Sequence, residues 1–241
     1  MIDNILCKVF PPYRFNITRK GQDVLLRSII DSLPNDYKNL KSQIQSLTFY
    51  GLSDWLSIPD YKFITIAYPG ETIHEYKKWG QSFKISGIEI FSTITQNFES
   101  VEILIKDNLL SGIKISNSSY LLNEFDLQKI RSENAVKSNF DFPPTEIDLF
   151  YDSLNNKIKS ILNPDDFFDI DYSNKTFYAF YDLADGNYLA VDKNQIVYSL
   201  IHDAKPAVTR IKYSFEEILI EIREGRFDKE RHVYNRIRKI E

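Results

Sequence analysis

The chain has 241 residues and a mass of 28.3 kDa, with 43% hydrophobic and 14% aromatic residues, enough for one large or two small folded domains and too apolar for disorder. Its 34 acidic against 30 basic residues leave a net charge of −4, which argues against sequence-independent binding to a nucleic-acid backbone, a task that needs a field of Lys and Arg. The lone Cys7 excludes an intramolecular disulfide and a Cys-based structural zinc site, and suits a reducing compartment.

Along the chain, Met1 to about Thr18 carries Pro11-Pro12 among aromatics and cations and reads as an extended arm or edge strand. Asp3 and Lys8 interrupt its apolar run, so it is not a secretory signal, and no segment approaches the ~20 apolar residues of a membrane span. The expected location is cytoplasmic. From Gln22, the apolar positions Val24, Leu25, Ile29, Ile30 and Leu33 keep one helical face until Pro34. A second helix follows, capped by Asn35 or Asp36, with Tyr37, Leu40, Ile44 and Leu47 at helical spacing and Gly51 at its end.

Five β-branched runs lie between Tyr61 and Ile115: 63–68, 82–85, 88–91, 101–105 and 112–115, with a short helix around 73–79. Residues 121–130 read as a helix, 132–139 as a polar loop, and 140–144 as a turn or extended bridge. Thr145 opens another helix, with Ile147, Phe150, Tyr151, Leu154, Ile158 and Ile161 on one side. The clearest segment is Phe177–Asp203, which reads as three strands joined by turns at Asp185-Gly186 and Lys193-Asn194. It leads into a helix with the capping box Ser214-Phe-Glu-Glu217, closed at Gly225. The basic tail from Lys229 reads as a solvated terminal helix. Strict βαβ alternation is missing, so the pattern predicts an α+β fold, a mostly antiparallel sheet with helices packed on one side, over a single domain 1–241.

Chemistry is harder to find. There is no Gly-x-Gly-x-x-Gly after a strand, no Walker-type Gly-Lys-Ser/Thr and no Gly-x-Ser-x-Gly elbow. His74, His202 and His232 share no metal-ligand spacing. His202-Asp203 has the composition of a polarised base, but as neighbours on a strand the two side chains are expected on opposite faces. Acidic residues gather at Asp165, Asp166, Asp169 and Asp171, read as one loop, and at Asp182, Asp185 and Asp192 around the hairpin. They lack the EF-hand ligand pattern; the functional options are a weak composite cation site or a negative patch for a basic partner, beside the ordinary use of Asp in turns and caps. Tyr50, Trp55, Tyr61, Tyr68, Tyr76 and Trp79 are candidates for an aromatic recognition face.

Two stretches together resemble a family. Leu26-Arg-Ser-Ile-Ile-Asp-Ser-Leu-Pro-Asn-Asp-Tyr-Lys-Asn-Leu40 is similar to the helix, Leu-Pro-x-x-Tyr, helix opening of the SUKH superfamily of bacterial immunity proteins and fungal cell-wall synthesis regulators. Tyr181–Asp192, Gln195-Ile-Val-Tyr198 and Ser214-Phe-Glu-Glu-Ile-Leu219 resemble its late strands and helix in the same order. The likeness covers residues 23–60 and 145–224, with 61–139 as an inserted or elaborated β-rich region; Thr48–Trp55 stands where the family has a Gly-rich turn.

The resemblance implies a binding protein with no catalytic residues and no cofactor or metal. The expected function is therefore an immunity-type module that neutralises a cognate toxin, with a basic toxin domain as partner and no direct contact with nucleic acid or membrane. Asp165, Asp166, Asp169, Asp171, Asp182 and Asp185 are its candidate partner-binding residues. The alternatives are a cell-wall-type regulatory or scaffolding protein, and an enzyme with an unfamiliar site built from Asp182, Asp185, His202 or Asp203.

Overall fold

The computed structural model describes residues 11–54 and 58–238, and the chain divides into two compact units, 1–143 and 144–241. The class is α+β and the pairing antiparallel, as the pattern predicts, but the strands form two sheets rather than one. The division differs from the expected single domain with an insertion over 61–139. Strands from that region belong to a sheet that begins upstream of it, at Thr48, and the C-terminal meander forms a sheet of its own.

The first unit opens with α1 (Pro11–Ser32). Residues 11–18 are thus helical rather than an extended arm, because Pro is tolerated in a first turn, where the missing N–H has no intrahelical acceptor anyway. After Pro34, a 3-10 turn (Asn35–Tyr37) leads into α2 (Lys38–Ser46). Gly51 does not end that helix; it sits inside β1 (Thr48–Asp54), where the register with β2 (Lys62–Ala67) slips. Next come α3 (Gly70–Tyr76), β3 (Phe83–Ser92), β4 (Phe98–Lys106) and β5 (Leu109–Ile115).

The two short runs 82–85 and 88–91 are one strand, interrupted by a bulge at Ser86-Gly87. Gly87 has φ +78°, and a Cβ there would run into the Asn134 carbonyl, so only glycine fits. The predicted helix 121–130 is instead a 3-10 turn (Leu122–Glu124) and a strand, β6 (Phe125–Arg131), paired with β3. Ile130 pairs with Ile90 and Asp126 with Phe91, so residues 127–129 bulge out, and the bulge gives Leu127 and Ile130 a spacing that imitates a helix. Likewise 136–139, predicted as loop, form β7 (Val136–Asn139) against the first half of β3; all four residues are exposed, so no apolar alternation marks the strand.

The strand order is β1-β2-β5-β4-β3-β6, with β7 also on β3. Leu25, Leu26, Ile29 and Ile30 of α1 and Leu40 and Ile44 of α2 join Ile64, Ile85, Ile90, Ile103 and Ile113 of the sheet in an aliphatic core. Each such side chain contributes about 1.5–3 kcal/mol through burial.

In the second unit, α4 (Glu146–Ser153) begins with a Thr145/Asp148 capping box. The predicted single helix to Ile161 breaks at Leu154, because the Asn155 carboxamide accepts from the Ile158 amide at 2.9 Å and starts a new turn, α5 (Asn156–Lys159). The sheet is a meander in chain order: β8 (Phe168–Tyr172), β9 (Lys175–Ala184), β10 (Asn187–Val191), β11 (Ile196–Leu200) and β12 (Val208–Ser214).

Asp185 and Gly186 have φ of 53° and 74°, the I′ turn that the sequence predicts. At the next turn the Asp192 carboxylate accepts from the amides of Asn194 and Ile196 at 2.9 and 3.0 Å, an Asx device that serves a turn without glycine. The Ser214 capping box opens α6 (Phe215–Arg223), and Gly225, at φ +68°, follows its end. The terminal helix α7 (Lys229–Ile237) is capped by Asp228 and has no fully buried residue. Among the described residues, no helix is long and apolar enough to cross a membrane.

Candidate functional site

Antiparallel partners share a face, so the register of the second sheet assigns its side chains. One face takes the helices: Phe150 of α4 stacks on Tyr178 at 4.1 Å, Phe215 of α6 meets Phe180 at 4.9 Å, and His232 of α7 lies 2.9 Å from the Ser199 hydroxyl. The other carries Ile170, Phe177, Ala179, Tyr188, Ala190, Tyr198, Leu200 and Val208 as a separate cluster. Phe168 meets Tyr188 edge to face at 5.1 Å, and Phe177 meets Tyr198 at 5.2 Å. Phe168 is 37% and Tyr172 46% exposed.

Charges of both signs border this aromatic surface: Asp182 and Asp192, and by register Lys175 opposite Tyr172 and Arg210 opposite Tyr198. Tyr198 donates to Asp192 at 3.2 Å, and burial together with Asp192 pushes its phenol above the usual value. Burial and then the charge of Asp182 do the same to Tyr188. Both rings therefore stay neutral hydroxyl donors across the physiological range. Aromatic anchors with polar tips, bordered by charged side chains, are the ordinary make-up of a protein-docking surface.

The six predicted aspartates are dispersed. Asp165 and Asp166 lie in a 3-10 turn, with Asp166 accepting from the Asn163 side chain at 2.7 Å. Asp169 and Asp171 are on β8 rather than in the same loop; strand pairing claims them, and Asp171 accepts from Thr176 at 2.7 Å. Asp182 accepts from the Ala184 amide at 2.7 Å, and Asp185 occupies the turn. By register Asp182 is on the aromatic face, while Asp169 and Asp171 are on the helix-bearing face. There the charges of Glu146, Asp169 and Asp171 add to burial in raising the Tyr178 phenol.

His202 and Asp203 do come together, contrary to the alternation expected for neighbouring strand residues. They follow β11 in a turn, where His202 Nε2 is 3.1 Å from Asp203 Oδ2 and Nδ1 is 2.9 Å from the buried Asn187 Oδ1. The pair is more than half exposed, an arrangement that suits a surface turn better than a shielded base. Among the described residues, no group of three His, Cys, Asp or Glu side chains is placed to hold a metal ion.

In the first unit, an open cleft of about 740 Å³ is lined by Asp54, Asp60, Tyr61, Lys62, Lys114 and Tyr120, among others. Lys62 pairs with Asp54, Lys114 with Asp60 at 3.3 Å, and Lys84 with Glu102 at 2.8 Å, while Tyr61 donates to Glu102. Burial opposes ionisation of Glu102, but hydrogen bonds from Lys84 and Tyr61 and the charges of Lys84 and Lys114 hold its carboxyl below the usual range. The charges that line the cleft are matched in pairs, which leaves little net field for a charged ligand.

The aromatic face proposed from Tyr50 to Trp79 does not form as a surface. Trp55 lies outside the described residues; of the other five only Tyr50 is exposed, and Tyr68 is a core side chain whose oxygen accepts from the Leu110 amide at 3.1 Å. The face that does form, from Phe168, Tyr172, Tyr188 and Tyr198, escaped sequence reasoning because β8 was read as loop. Its signal is the alternation in Phe168-Asp-Ile-Asp-Tyr172. Compared with known proteins, the chain matches no family model, no curated protein and no solved structure.

Proposed function

We propose that the chain is a non-enzymatic protein-binding module of the immunity type, SUKH-like, which neutralises a cognate toxin by docking a basic surface on its second unit. The observation that carries this reading is the sheet face of Phe168, Tyr172, Tyr188 and Tyr198, with Asp182 and Asp192 against its phenols and Lys175 and Arg210 also at its border. Charge distribution supports it. Residues 1–143 carry 16 acidic and 16 basic side chains, whereas 144–241 carry 18 acidic and 14 basic, so the net negative charge belongs to the unit with the aromatic face.

The test is co-expression with the product of the adjacent gene, followed by pull-down. Rescue of growth and co-purification are expected, and Phe168→Ser with Tyr172→Ser should weaken the complex about tenfold or more, since exposed aromatic anchors dominate binding. If no neighbouring gene encodes a toxin and no protein co-purifies, the reading fails.

A further inference from the structure

β8 is the last strand of the second sheet, with β9 on one side and no strand on the other among the described residues. Ser173 and Asn174 have φ of 50° and 60°, a two-residue I′ turn that makes Tyr172 and Lys175 a hydrogen-bonded pair. Bonding alternates along an antiparallel ladder, so Ile170 and Phe168 also bond to β9. The main-chain N–H and C=O groups of Asp169 and Asp171 therefore point outward, away from the sheet. Four of the five residues of β8 are exposed, which leaves this edge open.

We infer that the β8 edge is a template for an extended strand of the partner, with the pattern basic, apolar, basic; this rests on the protein-binding reading above. Strand addition of this kind takes affinity from main-chain bonds and specificity from alternate side chains. An added antiparallel strand bonds to Asp169 and Asp171, and its residues opposite them share their face. Those positions face two carboxylates with Glu146 nearby, and so select Lys or Arg. The residue between them falls on the other face, beside Ile170, Phe168 and Tyr172, and so selects an apolar side chain. The same charges reject a second copy of the chain: pairing two β8 strands about Ile170 sets Asp169 against Asp171 twice.

The test uses the full chain and the peptide acetyl-KVKVKT-amide, with binding read by calorimetry and by slowed amide exchange at Asp169 and Asp171. Binding is expected to weaken with salt, to fall about tenfold or more in D169N/D171N, whose melting temperature should be close to wild type, and to be absent for acetyl-EVEVET-amide. N-methylation separates edge pairing from loose ionic attraction. Methyl groups on the lysine amides, which face β8, should abolish binding; on the valine amides, which face solvent, they should leave it.

Equal binding of the two methylated peptides, binding of the acidic peptide, or no binding of KVKVKT at millimolar concentration overturns the inference. A captured protein partner that binds wild type and D169N/D171N alike also overturns it while leaving the protein-binding reading intact. Peptide binding in the expected pattern with no protein partner found supports the edge and sinks the function.

Discussion

The two units solve the same problem with different materials. The first packs two helices on a seven-stranded sheet through a core dominated by Leu and Ile, and its acidic and basic residues are equal in number, many of them matched as ion pairs. The second has five strands and relies on ring contacts, Phe150, Phe167 and Tyr178 on one face and Phe168, Tyr188, Phe177 and Tyr198 on the other. Aliphatic interdigitation fills a core that needs no outside contact. A sheet with rings on both faces and helices on one leaves Phe168 and Tyr172 exposed, and the net negative charge lies on that unit. On the proposed protein-binding reading, scaffold and recognition are divided along the chain.

The largest expected effect that probes this division is Phe167→Ala. Phe167 is fully buried beside the stacked Phe150 and Tyr178 rings, and its loss should cost about 4 kcal/mol. Both tryptophans, Trp55 and Trp79, precede residue 144, so tryptophan fluorescence reports the first unit alone. In urea the far-ultraviolet dichroism should show an early transition while the fluorescence midpoint stays put; a joint shift would mean the two units unfold as one. The converse is Gly87→Ala, where positive φ and the Asn134 carbonyl together should cost about 3 kcal/mol, visible as a lower midpoint by fluorescence.

A smaller effect belongs to the Ser214 cap. Ser214→Ala removes the hydroxyl that accepts from Glu217 and should destabilise the second unit by about 1 kcal/mol, with Ser214→Asp restoring most of it. Last is His232, whose imidazole is held below its usual value by burial and by Arg236. The folded state then favours the neutral ring, so the unfolded chain binds more protons, and His232's contribution is present above about pH 6.5 and lost as pH falls further. Protection factors in α7, taken relative to the intrinsic exchange rate at each pH, should fall on acidification, and His232→Gln should flatten that dependence.

Legibility followed the range of the interaction. The hairpin at Asp185-Gly186, the Ser214 cap, the helix start at Thr145 and the buried positions Leu25, Ile29, Ile30 and Leu33 are written in a few adjacent residues and formed where local chemistry put them, whereas Val24, read on the same face, is exposed, and neither Asn35 nor Asp36 caps α2. Strand β6 was hidden by a bulge that imitates helical spacing, and β7 by having no buried side. The acidic residues were legible as a set, but not their distribution over two faces, which depends on a register slip between β9 and β10.

By itself the sequence determined the α+β class, the meander from β9 to β11, the Ser214 cap and the excess of negative charge in the last hundred residues, because those follow from propensity, period and counting. Only the tertiary structure decided the split at residue 143, the assembly of Phe168, Tyr172, Tyr188 and Tyr198 on one face, and the outward turn of the Asp169 and Asp171 main chain. These depend on which strand pairs with which and in what register, and in a strand one residue of register moves every side chain to the opposite face.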